Sequence, residues 1–217
     1  MNGHLSNPDA INQGIVQGSG IGPQLYIIMK SDLKSLTNDN ILLKYAYDIT
    51  LLVSEHFTVD IATEFLHAQA WAAANKLCLN TKKTKEIVLH QPRARPHYMP
   101  LPLDDMDCVV SAKLLGVIFQ KNFEMDIHVN FVLSQCNHRV LRSQGLSTIQ
   151  LVSQDIIVSR LRYALPAWSG FLTVDLINRI QSVYLKRLYR YGYTTQALSF
   201  NDLTSSCAVD LFRNVEI

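Results

Sequence analysis

Leu43-Lys44-Tyr45-Ala46-Tyr47-Asp48-Ile49-Thr50-Leu51-Leu52 is the stretch whose reading decides the fold. Two apolar, β-prone runs, Ile41 to Ala46 and Ile49 to Val53, flank Tyr47-Asp48. A dipeptide is the right length for a tight hairpin turn, although neither residue is the glycine such turns prefer. Upstream stands a second marked stretch, Gln17-Gly18-Ser19-Gly20-Ile21-Gly22-Pro23. Its glycines let a main chain turn sharply and be approached closely. Pro23 suits a first helical position, where its missing N–H would have no partner anyway. The run Gln24 to Leu33 then reads as a largely buried helix, ended by Asn38-Asp39-Asn40.

Working downstream, Thr58 or Asp60 can cap a helix whose stripe is Ile61, Phe65, Ala68 and Ala72. Glu86 to Leu89 is a short strand candidate. Pro92, Pro96, Pro100 and Pro102 make the next stretch irregular, and further strands are expected near Cys108 to Val110 and Lys113 to Phe119. After Asp126 the pattern turns helical. Val129, Leu133, Cys136 and Val140 recur at helical spacing, with Gly145 as a plausible end. A second helix is expected from about Thr148 to Leu165, stopping at Pro166. A third is capped by Thr173, with Asp175 near its positive end, the stripe Ile177, Ile180, Tyr184, Leu188 and Tyr191, and Gly192 after it. The chain is thus expected to be α+β, mixed up to about residue 122 and helical over 126–192, with 1–13 a poorly ordered lead-in and 193–217 a tail.

With 217 residues and 48% hydrophobic content, a real core is affordable. The formal net charge of +2 does not announce a nucleic-acid binder, but its distribution says more. Between Arg139 and Tyr193 the basic residues include Arg160, Arg162, Arg179, Lys186, Arg187 and Arg190, opposed only by Asp155 and Asp175. Such a segment suits phosphate contacts, or simply solvates a helix face. Cys78, Cys108, Cys136 and Cys207 form no close pair, so neither zinc nor a redox dithiol is indicated, and the spacing of His128, Cys136 and His138 matches no standard metal site. No apolar run reaches the roughly 18 residues of a bilayer span. Met1 to Ser6 lacks signal-peptide architecture. An intracellular protein, nuclear or cytoplasmic, neither secreted nor membrane-bound, is expected.

Taken together, these stretches resemble the reverse transcriptases (RNA-directed DNA polymerases) of non-LTR retrotransposons, from Gly14 to Tyr193. Gly14 to Pro23 looks like the motif B turn, and Ser31-Asp32-Leu33 is similar to the Asn-Asp-Leu that follows it. Leu43 to Leu52 resembles motif C. Trp71, Asn75, Asn80, Lys83 and Thr84 look like the W…N…N-x-x-K-T pattern of motif D. Leu114-Leu115-Gly116-Val117 is like motif E, the primer grip, and Ser159 to Trp168 resembles the thumb. The resemblance implies a partial polymerase palm over 14–122, built of a hairpin, short antiparallel strands and two helices, then a helical thumb bundle over 126–192.

It also implies site residues. Gln17 and Gly18 would lie beside the templating base and nucleotide, and Gly116 would be the tight turn of the primer grip. Lys83 would stand near the departing pyrophosphate, where a lysine can donate a proton or neutralise charge. In the family, Mg²⁺ is held by a carboxylate of motif A and by the first Asp of Tyr-Ala-Asp-Asp. Two-metal phosphoryl transfer needs such hard oxygen ligands. Here motif C reads Tyr45-Ala46-Tyr47-Asp48. Tyr47 replaces that first Asp with a phenol that stays neutral near pH 7. The 13 residues before Gly14 contain only Asp9, in no matching context for motif A. Asp48 is then a lone metal-ligand candidate, insufficient by itself, and with Lys83 a vestige. No Mg²⁺ is expected to bind productively, and the chain is expected to be inactive. What could persist is weak binding of an RNA or DNA template-primer by Arg179, Lys186 and Arg190, which fall at i, i+7 and i+11, with Tyr189 as a stacking residue. Pairing with another polymerase chain through the exposed palm edge is the alternative.

Overall fold

A computed structural model describes residues 19–54, 59–90, 100–103, 106–143, 158–190, 194 and 196–213, with the backbone alone at 137–143 and 183. Gly14, Gln17, Gly18, Thr58, Gly145, Tyr191 and Gly192 lie outside the described residues. The chain forms two compact units, one made of Met1–Glu86 with Tyr98–Asp107, the other of Ile87–His97 with Cys108–Ile217. Helices and small two-stranded sheets make an α+β protein.

The first unit begins with α1 (Gly22–Met29), which has Pro23 in its first turn. The expectation of a buried helix fails here. Ile21, Leu25, Ile27 and Ile28 are exposed, and α1 ends at Lys30, well before Asn38. The hairpin follows as β1 (Ile41–Tyr45) and β2 (Asp48–Leu52). Its register pairs Tyr45 with Asp48, so the turn is Ala46-Tyr47, one residue earlier than expected. Ala46 takes a positive φ of 44°, which supplies the reversal that a glycine would otherwise give. The shift moves Asp48 out of the turn into the first pair of the ladder.

α2 (Ile61–Ala74) is capped by Asp60, whose Oδ1 accepts the Thr63 N–H at 2.8 Å. That bond holds the Asp60 carboxyl below its usual range. The helix closes on a left-handed Lys76 (φ 56°), with the Leu77 N–H on the Ala72 carbonyl at 2.8 Å. The expected strand at Glu86 to Leu89 reduces to β3 (Lys85–Glu86), paired with β4 (Asp107–Cys108). The Lys85 ammonium lies on the Asp107 carboxylate and lowers its pKa.

The interior of this unit is polar. Its buried described residues include Leu33 and Ala72, but also Lys30, Asn40 and Glu64. Glu64 accepts the Leu36 N–H at 2.9 Å and the Asn40 side-chain amide at 2.9 Å. Asn40 reaches on to the Val59 carbonyl. A buried carboxylate thus ties α2 to the loop before the hairpin.

The second unit holds the hydrophobic core. Its hairpin is β5 (Ser111–Leu114) and β6 (Val117–Gln120), joined by Leu115-Gly116. Val117 packs into one cluster with Met125, Val129, Leu133 and Cys136 of the following segment. The change from strands to helices falls between Gln120 and Asp126, and this hairpin nevertheless shares the helical core. α3 (Asp126–Ser143) is followed, beyond undescribed residues, by α4 (Ser159–Arg162). Pro166 does not stop that helix. The chain has already broken at Ala164 (φ 51°), and Pro166 opens the short α5 (Leu165–Trp168).

Thr173 caps α6 (Val174–Asn178), as its sequence position predicts, accepting the Leu176 N–H at 3.3 Å. A π-helical stretch, Arg179–Leu185, then leads into α7 (Lys186–Arg190). The expected tail is largely helix: α8 (Phe200–Arg213) seats Phe200, Leu203 and Cys207 in the core. Gln181 positions its start, accepting the Phe200 N–H at 2.7 Å and donating to the Leu198 carbonyl at 2.9 Å.

Candidate functional site

The β1–β2 turn is built from lysines and tyrosines. Lys30, just past α1, is almost fully buried, and its ammonium donates to the Ala46 carbonyl at 2.6 Å. The same ammonium sits 4.3 Å from the centroid of the Tyr26 ring, a cation–π distance. The Tyr26 and Tyr47 rings meet at 4.4 Å. Lys44, on β1, donates back to the carbonyls of Lys30 (2.6 Å) and Leu33 (2.7 Å), which satisfies carbonyls left free beyond the helix end. The two lysines bolt α1 to the hairpin in opposite directions.

Electrostatics at the turn follow from this. Burial lowers the Lys30 pKa, opposed by Asp48 and reinforced by Lys44. Burial, then Tyr47 and Asp48, raise the Tyr26 pKa. Asp48 itself is exposed. Among the described residues, no three His, Cys, Asp or Glu side chains gather where they could hold a metal ion. One carboxylate beside two ammonium groups does not fit a Mg²⁺ ion, which asks for several oxygen ligands and no neighbouring cation.

The motif D-like residues hold local structure. The Trp71 indole donates to the Asp32 carboxylate at 3.0 Å, joining α2 to Ser31-Asp32-Leu33. The Asn75 amide closes on the Trp71 carbonyl. Asn80 organises the turn after it, accepting the Lys83 N–H and the Thr84 hydroxyl. Lys83 is exposed, and the contacts described for it are made by its backbone.

In the second unit, Gly116 has a φ of 89° and follows Leu115 at 45°, a turn with both central residues in the positive-φ region. Tyr163 lies against it. A Cβ at 116 would stand 2.9 Å from Tyr163 Cε1, and the Tyr163 hydroxyl donates to the Leu115 carbonyl at 2.8 Å. The motif E-like hairpin and the thumb-like segment, 48 residues apart in sequence, therefore meet at one glycine. Beside them opens a cleft of about 330 Å³, lined by Lys113, Gly116, His128, Phe131, Gln135, Arg160 and Tyr163.

His128 is buried there for packing. Its Nδ1 accepts the Ile118 N–H at 3.3 Å, and its ring meets Trp168 edge-on at 4.9 Å. Burial, then Lys113, hold its pKa below the ordinary value. Cys136 is buried beside Tyr184, whose hydroxyl is pushed up by burial and by that thiol.

Arg179, Lys186, Tyr189 and Arg190 are all exposed. They do not form the straight row that i, i+7 and i+11 implies. A π-helical turn carries about one residue more than an α turn, so Arg179, at its start, is rotated away from Lys186, which follows it. Lys186 and Arg190 remain neighbours on α7. Tyr184 and Leu185, at the end of the π stretch, are both buried. Among the described residues none of Arg160, Arg179, Lys186, Arg187 and Arg190 makes an ion pair, whereas Arg162 is held by Asp210 at 2.9 Å and Ser206 at 3.2 Å. Gln17 and Gly18 lie outside the described residues. Sequence reasoning missed Lys30, Lys44 and Glu64. The available signal was a lone lysine ending the apolar run Leu25 to Met29 and another inside a strand.

Comparison with known proteins bears on what this arrangement descends from. The chain is 22% identical, over 204 residues, to a Drosophila melanogaster protein named "Probable RNA-directed DNA polymerase from transposon X-element", covering 84% of this chain. It is 26% identical over 198 residues to the corresponding protein of transposon BS from the same species, covering 81% of this chain. The chain is similar to transposon RNA-directed DNA polymerases. It spans 22% of the length of each of these relatives. No family model matches, and no solved structure matches. Among the described residues, no helix is long and apolar enough to cross a membrane.

Proposed function

We propose that this chain is a palm-and-thumb portion of a retrotransposon RNA-directed DNA polymerase that binds nucleic acid through its second unit without catalysing synthesis. The observation that carries the binding is the set of exposed cations on α7, Lys186, Arg187 and Arg190, which make no ion pair among the described residues and flank the exposed Tyr189. Unpaired cations on a helix suit phosphates, and a tyrosine among them suits stacking on a base or sugar. The likeness to the transposon polymerases along most of the chain supports the origin. The lack of catalysis rests on Asp48 belonging, among the described residues, to no group of His, Cys, Asp or Glu that could hold a metal ion, so purified chain with Mg²⁺, primer, template and nucleotides extends nothing. Extension above a heat-killed control, abolished by Asp48→Ala, refutes that part.

Binding is tested by fluorescence anisotropy with a primer–template duplex at two salt concentrations. Affinity is roughly micromolar or weaker at physiological salt and falls as salt rises. Lys186→Glu with Arg190→Glu removes most of it, and adding Arg179→Glu removes little more, because the π turn separates that residue from the pair. Affinity unchanged in the triple variant, or insensitive to salt, sinks the reading. A second reading, attachment to another polymerase chain, is favoured by the apolar side chains exposed on the first unit, Ile21, Ile27, Ile28 and Tyr45.

A further inference from the structure

The failure of the β1–β2 turn to suit a metal has a cause besides the missing carboxylate. We propose that the Lys30 ammonium is the resident cation of this turn, and that it keeps divalent ions out even when a second carboxylate is supplied at position 47. The inference goes beyond the proposed function, whose catalytic part counts carboxylates only. The ammonium is almost fully buried, lies 2.6 Å from the carbonyl of the first turn residue, and rests on the ring of Tyr26. Tyr26 in turn contacts Tyr47 at 4.4 Å. A carboxylate introduced at 47 therefore enters the neighbourhood of a buried ammonium close enough to Asp48 to feel that carboxylate's charge. Lys44 adds a second positive charge nearby, itself held by two carbonyls.

A carbonyl oxygen, an aromatic face and a carboxylate are the partners an ammonium takes. A divalent ion arriving at the same turn would lose the Ala46 carbonyl to Lys30 and meet a like charge. With a single carboxylate for neutralisation, or with two, the lysine remains the better fit, since it is covalently attached and pays no entropy of association.

The test measures Mn²⁺ binding by water-proton relaxation in the full chain and in Tyr47→Asp, Lys30→Gln and the double variant. Gln keeps a donor for the Ala46 carbonyl without the charge. Should Lys30→Gln disturb folding, as circular dichroism would reveal, Lys30→Met with the same partners is used instead. Tyr47→Asp alone leaves Mn²⁺ affinity within about twofold of the unaltered chain, while removing the charge in the same background tightens it by about tenfold or more. Tight binding by Tyr47→Asp alone overturns the proposal. So does a double variant that gains nothing, because Lys30 is then not what excludes the ion. Neither result touches the anisotropy test on α7, so the two readings fail separately.

Discussion

Replacing Gly116 with alanine tests how the β5–β6 turn is joined to the helices of the second unit. Two penalties add. The backbone at 116 has a φ of 89°, and a Cβ there costs about 1–2 kcal/mol from left-handed strain. The new methyl group would stand 2.9 Å from Tyr163 Cε1, too close to stay. Tyr163 is half exposed and its ring can swing out, so the clash is relieved by movement rather than by distortion of the core. Moving the ring gives up the 2.8 Å hydrogen bond from its hydroxyl to the Leu115 carbonyl, worth about 1 kcal/mol. The expected loss is about 2–3 kcal/mol in the unaltered background. In a Tyr163→Ala background it falls to the backbone part, about 1–2 kcal/mol. Urea unfolding followed by Trp168 fluorescence, with Trp71→Phe to silence the other indole, measures both. A loss below about 0.5 kcal/mol, or the same loss with and without the Tyr163 ring, refutes the reasoning.

Glu64→Gln keeps an oxygen where Oε1 accepts both the Leu36 N–H and the Asn40 amide, but sets an amide donor where Oε2 faces the Leu36 N–H at 3.2 Å, so a buried donor is opposed to a donor there. The first unit is destabilised by about 1–3 kcal/mol, read by chemical denaturation with Trp71 as probe, and no change would mean that water replaces the carboxylate. His128 titrates below its ordinary value in the folded chain. Its stabilising contribution is therefore complete above the unfolded value near pH 6.5 and is lost as pH falls through that region and on to the lower folded value. Melting temperature should drop across this window and the slope should flatten in His128→Leu, whereas an unchanged slope removes His128 from the account. Native-state hydrogen exchange should find the slowest amides around Ile180, Leu185 and Leu188 and faster ones in β1 and β2, because the core cluster lies in the second unit and a two-stranded hairpin alone is marginal. The reverse order would show that the polar interior around Glu64 outweighs that core.

By itself the sequence determined the elements whose causes are local. Asp60 and Thr173 cap helices because a short side-chain oxygen reaches an N–H three residues on, and Pro23 opens α1 because its ring fixes φ. The hairpin at 41–52 was legible from two apolar runs around a short break. Its register was not, because Ala46 rather than a glycine takes the positive φ, and no preference of alanine announces that.

Only tertiary structure decided what depends on distant partners. α8 begins where Gln181, on another element, receives the Phe200 N–H, and its Phe200, Leu203 and Cys207 enter the core. The spacing of Arg179 and Lys186 does not place them on one helix face, because the stretch between them is π-helical. The sequence marks Asp48 as a carboxylate at a turn, but its company is not readable there. Lys30 reaches the turn across 16 residues, and Lys44 reaches back across 14. Spacing along the chain reports what a residue can do within a turn or two of helix. Which charge comes to lie beside Asp48 is set by how α1 folds against the hairpin, and that is a matter of long-range packing.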